Sequence, residues 1–140
     1  MPVPGVAIAE RLAQLTLFAD LTWPELEAVT HLFDEQVFAP EQRVLRRGLG
    51  GSAFYIVIEG SAVVEVDGRE RRTLGQGDFF GEISALTGEA PTADVRATTL
   101  LRCIVIPGVE VERFLLDHPR VLLRILHAEA RRLRDADRWE

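Results

Sequence analysis

The sequence predicts a mainly β domain, an antiparallel β-barrel or jelly roll with N-terminal helices before it and two C-terminal helices after it. Between residues 35 and 106, short runs rich in Val, Ile, Phe and Tyr are separated by glycine-bearing turns, which is the pattern of strands. Within that stretch, Val66-Asp67-Gly68-Arg69 is a hairpin signal, because Asp-Gly accepts the positive φ angles of a type I′ turn. On both sides of it, apolar residues return to helical spacing.

Taken in order, Ile8, Leu12, Leu15 and Phe18 predict one amphipathic helix over Val6 to Phe18. Thr22-Trp23-Pro24-Glu25 is a capping-box pattern with proline tolerated in the first turn. Leu21 and Leu26 stand where a hydrophobic staple belongs, and Val29, Leu32 and Phe33 carry the apolar face on, so this helix is expected over Trp23 to Phe33. Strands are expected at Glu35 to Phe38, Arg43 to Arg46, Phe54 to Glu59, Ala62 to Val66, Arg69 to Leu74, Ala93 to Ala97 and Leu101 to Ile106. After Pro107, Val111, Phe114 and Leu115 mark one helix, and Val121, Leu122, Ile125, Leu126 and Leu133 a second. His118-Pro119 separates them, since a residue before proline is pushed out of α geometry.

The chain has 140 residues, 47% of them hydrophobic, which is the size of one domain with its own core. Sixteen basic against 22 acidic residues give a net charge of −6 with no basic stripe, which disfavours nucleic acid as a partner. The single Cys103 sits in an apolar strand run and packs as a small hydrophobe, so neither a disulfide framework nor a cysteine-based zinc site is expected. No apolar stretch is long enough for a membrane span, and the N-terminus lacks a secretory pattern; a cytoplasmic location is expected.

One segment interrupts the strand rhythm: Gly75-Gln76-Gly77-Asp78-Phe79-Phe80-Gly81-Glu82-Ile83-Ser84-Ala85-Leu86-Thr87-Gly88-Glu89. Glu82 to Leu86 suits one or two helical turns entered through Gly81, and a glycine-led helix start can hold a phosphate by its backbone. A carboxylate beside an anion needs another task, such as accepting from ribose hydroxyls. The plainer reading makes Gly81 a turn residue and Glu82 a solvated first-turn residue. On either reading Glu82 is expected to be exposed, without a buried partner.

Gly48 to Gly60, then Leu74 to Ser84, then Val95-Arg96-Ala97 resemble the cyclic-nucleotide-binding domain family in order and spacing. Its members include the catabolite activator protein sensor domain and the regulatory subunits of cyclic-AMP-dependent protein kinase. The resemblance covers nearly the whole chain: helices over about residues 6–33, a barrel over about 35–107 with a phosphate-binding cassette at 79–93, and helices over about 109–139, in one domain spanning 1–140. It implies that Gly51, Gly60 and Gly81 are turn glycines, that Gly81 and Ile83 meet a cyclic phosphate, and that Glu82 meets the ribose 2′-hydroxyl. The implied ligand-binding set is Phe80, Gly81, Glu82, Ile83, Ser84, Pro91, Thr92 and Ala93. The implied ligand is cyclic AMP or cyclic GMP, with no other cofactor, and the implied partner is an effector protein or a second copy of the chain.

The chain departs from that family at one position. Where the cassette of binding members carries an arginine that pairs with the phosphate, this chain carries Pro91. Strand parity puts Ala93, Val95 and Ala97 on one face and Thr92, Asp94 and Arg96 on the other, so Arg96 is expected to point out of the barrel. Removing one partner of a charge-assisted pair typically costs on the order of 2–5 kcal/mol. Either binding is weak, or Arg46, Arg72 or a tail arginine supplies the cation, or the domain has changed ligand, or the barrel serves only protein interaction or oligomerisation.

Catalysis has little support. His31, His118 and His127 all fall in helical or linking segments, which argues against a cupin-type metal site built on strands, and Ser52, Ser61 and Ser84 have no evident histidine partner. Arg131 and Arg132 read either as a solvated helix face or as lid contacts with a ligand, and Trp139 as a possible cap. Only two residues follow Arg138, so the chain as it stands is not expected to read DNA by a helix-turn-helix.

Overall fold

The structure, a computed structural model, describes residues 4–49 and 52–137. Gly51 and Trp139 lie outside the described residues. Two four-stranded antiparallel sheets face each other. The first orders β1 (Asp34–Phe38), β8 (Leu101–Pro107), β3 (Ala53–Glu59) and β6 (Phe79–Phe80); the second orders β2 (Arg43–Leu45), β7 (Asp94–Ala97), β4 (Ala62–Val66) and β5 (Arg69–Leu74). All seven expected strands are present within a residue at their ends. The two-residue β6 was not expected, because two phenylalanines give no period to read; tertiary pairing of Tyr55 with Phe80 and Ile56 with Phe79 makes it a strand. Asp67 and Gly68 take φ values of 54° and 76°, as the type I′ hairpin requires.

Alternation along the first sheet divides the core in two. Tyr55 and Val57 of β3, with Cys103 and Val105 of β8, face the barrel interior beside Val64, Leu74, Phe80 and Val95. Phe54, Ile56 and Ile58, with Ile104 and Ile106, face outward and are covered by helices. Those helices are α1 (Pro4–Ala13), α2 (Trp23–Thr30), α4 (Gly108–Asp117) and α5 (Pro119–Asp137). Each fully buried side chain such as Phe54, Ile104 or Phe114 contributes about 1.5–3 kcal/mol of hydrophobic stabilisation. Phe18, Phe33 and Phe114 add a cluster of tilted rings with centroids 6.1–6.4 Å apart.

The expected helix over Val6 to Phe18 is broken. It ends at Ala13, Leu15 is extended, and a 3-10 turn spans Thr16–Phe18. The extended backbone at Leu15 re-aims the turn, and Leu17 and Phe18 are both buried in the core. The second helix carries the expected capping box, Thr22 and Glu25 each accepting from the other's backbone N–H, but it ends at Thr30 and not at Phe33. Past Pro107 the two helices fall as expected on either side of His118.

The first half of α5 is fixed to the body. Val121 and Ile125 are buried in the helix-covered core, and the Arg124 guanidinium donates to the Leu17 carbonyl and the Asp20 carboxylate. This anchorage aims the second half across the open side of the barrel.

Candidate ligand-binding site

The short helix α3 (Glu82–Thr87) begins at Gly81, which has φ 80°. A Cβ at Gly81 meets the Ala53 carbonyl oxygen at 2.5 Å, so both the left-handed backbone and the close approach of β3 demand glycine there. Gly60 is held likewise: φ 92°, with the Leu100 carbonyl 2.1 Å from a built Cβ. The Ser84 hydroxyl donates to the Glu89 carbonyl at 2.5 Å and closes the segment behind α3.

A cavity of about 710 Å³ opens between α3, the inner face of the second sheet and the second half of α5. All eight residues expected at the site line it: Phe80, Gly81, Glu82, Ile83, Ser84, Pro91, Thr92 and Ala93. Val64 and Val95 form its apolar floor, and Leu133 and Ala136 of α5 its roof. Phe80 stacks on Tyr55 with centroids 4.7 Å apart, which fixes the entry into α3.

Glu82 corrects one expectation: it is only 5% exposed and has a buried partner. One nitrogen of the Arg132 guanidinium donates to Glu82 Oε1 and to Glu129 Oε1, at 3.0 Å each, and the other donates to the Phe79 carbonyl at 2.6 Å. The same guanidinium lies 4.2 Å above the Phe79 ring. Sequence periodicity placed Arg132 on a charged helix, but only the path of α5 brings it over the cassette. Arg132 is therefore a roof contact, while Arg131 is exposed. Burial, then hydrogen bonding with Glu129, pushes the Glu82 carboxyl up to about 7 against the pull of Arg132.

The parity argument holds for Arg96. It points out of the barrel and meets Glu41, Glu65 and Glu70 at 2.7, 3.1 and 3.5 Å. Pro91 lines the cavity, and its carbonyl accepts from the Gly48 N–H at 2.9 Å. Arg46 lines a smaller neighbouring cavity. Arg72 faces inward: it is in register with Val64 and shares its side of β5 with buried Leu74. Its Nε is buried without a hydrogen-bond partner. Burial, and then the neighbouring Arg132, pull its guanidinium below the ordinary arginine value, against the opposing pull of Glu82, Glu129 and Asp78. The parity count that expelled Arg96 also assigns Arg72 to the interior, two residues before Leu74.

Among the described residues no group of three or more His, Cys, Asp or Glu side chains is arranged to hold a metal ion, and no helix is long and apolar enough to cross a membrane. Cys103 is buried, and burial pushes its thiol up to about 12.

The cavity is thus walled by a barrel, a glycine-led short helix with a buried glutamate at its first position, and a C-terminal helix over the opening. Residues 35–118 match the cyclic nucleotide-binding domain. The chain belongs to that family. It is 33% identical over 119 residues to a cGMP-dependent protein kinase of Toxoplasma gondii, across 85% of this chain and 12% of the kinase. The chain thus spans about an eighth of that relative's length. Among solved structures, PKAR CBD2 with Sp-2Cl-cAMPS bound has the same fold: TM-score 0.79 at 21% identity, covering 96% of this chain and 95% of the other. The Thermus thermophilus catabolite activator protein follows at TM-score 0.74 and 26% identity, covering 86% of this chain and 59% of that one. The cyclic nucleotide-binding domain is a regulatory module, and no catalytic kinase domain is present in these 140 residues.

Proposed function

We propose that this chain is a cytoplasmic regulatory module, with no catalysis and no cofactor of its own, that binds a cyclic nucleotide in the 710 Å³ cavity and prefers cyclic GMP. Arg72 carries the reading: a half-buried, inward-facing side chain with a buried, unpartnered Nε in a cavity of this family. In this pose the cyclic phosphate lies against the backbone of Gly81 to Ser84 and against Thr92, and the ribose hydroxyl donates to Glu82. Arg72 stands two strands from β7, roughly 9–10 Å away at ordinary strand spacing, too far to replace an arginine at Pro91. It meets the base instead, under Leu133 and Ala136. Guanine offers two acceptors, O6 and N7, on one edge, matching the guanidinium fork, whereas adenine pairs an acceptor with a donor there. Such a match discriminates by about 1–3 kcal/mol, roughly five- to hundredfold. The similarity to a cGMP-dependent kinase supports the same preference.

Pro91 favours a second reading, in which the barrel has lost its ligand and serves only as an interaction module. Calorimetric titration with cyclic GMP and cyclic AMP into the millimolar range separates the two. Binding with cyclic GMP preferred is the expected result; no heat with either nucleotide leaves the interaction module.

A further inference from the structure

Two carboxylates converge on one guanidinium nitrogen at the roof of the cavity. Glu82 Oε1 and Glu129 Oε1 each accept from the same Arg132 nitrogen at 3.0 Å. Glu82 Oε2 is buried without a hydrogen-bond partner. One donor serving two acids, with one oxygen beyond the reach of water, is an arrangement in which both acids cannot cheaply be ionised. The charges facing Glu82 are Arg132 and Glu129 from α5 and Arg72 from β5, with Arg71 and Asp135 farther along the lining and Asp78, in the turn before β6, acting on Arg72. No histidine lines the cavity, and a cyclic phosphodiester does not titrate near neutral pH.

We propose that Glu82 holds a proton when the cavity holds no nucleotide, and that nucleotide binding displaces it. The inference rests on the nucleotide reading above. The ribose O–H donates to Glu82 and favours its ionised form, the carboxyl O–H bond breaks, and the proton passes to the buffer. Arg132 then pairs with two carboxylates whose charges are both present, so α5 is held more firmly over an occupied cavity than over an empty one. Affinity rises with pH, because alkali removes beforehand the proton that binding must displace. The rise is about tenfold between about pH 6 and about pH 8 and levels off above it.

The test uses the full chain and two readouts. Carbon-13 titration of the side-chain carboxyls is recorded without nucleotide, with Glu82→Gln and Glu129→Gln assigning the signals. Cyclic GMP is then titrated calorimetrically in buffers of different ionisation enthalpy, which counts protons released. The expected result is one carboxyl with a midpoint near 7 that falls in Glu129→Gln, together with proton release that the same variant diminishes. Carboxyls that all titrate below about pH 5 overturn the proton on Glu82, and binding without proton release overturns its displacement. A midpoint near 7 in a protein that binds no nucleotide keeps that proton and overturns both its displacement and the nucleotide reading, so the two fail separately.

Discussion

Arg72 and Arg96 flank the same strand, β4, and face opposite sides of the same sheet. Arg96, on the outer face, is met by three carboxylates. Arg72, on the inner face, has a buried Nε with no hydrogen-bond partner. A side chain whose charge is already answered by the protein holds the sheet together. One that leaves a buried donor unpartnered costs stability. On the proposed reading, the difference separates a structural arginine from a ligand-facing one, although the two lie on neighbouring strands of one sheet.

The largest expected effect breaks this contrast directly. Arg72→Ala lowers cyclic GMP affinity on the order of hundredfold, the cost of removing one partner of a charged hydrogen-bonded contact, without lowering the melting temperature. Arg96→Ala lowers the melting temperature and leaves affinity unchanged. Thermal melts and titrations of the two variants measured together check both halves.

Pro91→Arg sharpens the contrast by adding a second inward cation at the other end of the cavity. It increases affinity for cyclic AMP and cyclic GMP alike, by about 2 kcal/mol or roughly thirtyfold, because a phosphate contact does not distinguish the bases. An increase confined to one nucleotide contradicts the assignment of that end to phosphate.

Removing residues from Arg131 onward deletes the Arg132 contact and the Leu133 and Ala136 roof, but leaves Val121 and Ile125 in the core. The barrel stays folded by circular dichroism, and affinity falls roughly tenfold, about the worth of the lost apolar roof. An unfolded product shows that the second half of α5 belongs to the core.

The last effect concerns Glu82 and is read in stability. Its carboxyl lies at about 7 in the fold against 4.5 ordinarily, so the folded state favours the protonated form. That stability is fully present below about pH 4.5 and is lost as pH rises through about 7. Glu82→Gln mimics the protonated form, removes this decline and leaves the protein more stable than the natural chain above pH 7. Melting temperature followed against pH checks it.

Much of this was legible in the sequence because the signals are local. The Thr22 to Glu25 cap, the Asp67-Gly68 turn, the His118-Pro119 break and the alternation that expelled Arg96 each depend on a few consecutive residues. The eight cassette residues named from family spacing line one cavity in the fold. The burial of Glu82 was not, because it depends on α5, 50 residues further along the chain, passing over α3 and delivering Arg132. The break after Ala13 was missed for a related reason: Leu15 and Phe18 fit the helical period, and the extended backbone at Leu15 that interrupts it leaves no local signal. Arg72 lay between these cases, since parity against Leu74 marks it as inward while a run of charged residues disguises it as surface.

The most direct test of the central claim is a calorimetric titration of cyclic GMP into the natural chain and into Arg72→Ala, side by side. The account predicts measurable binding by the first and affinity weaker on the order of hundredfold in the second, with both proteins folded. Equal affinity in the two proteins, or no binding by the natural chain at millimolar nucleotide, contradicts it.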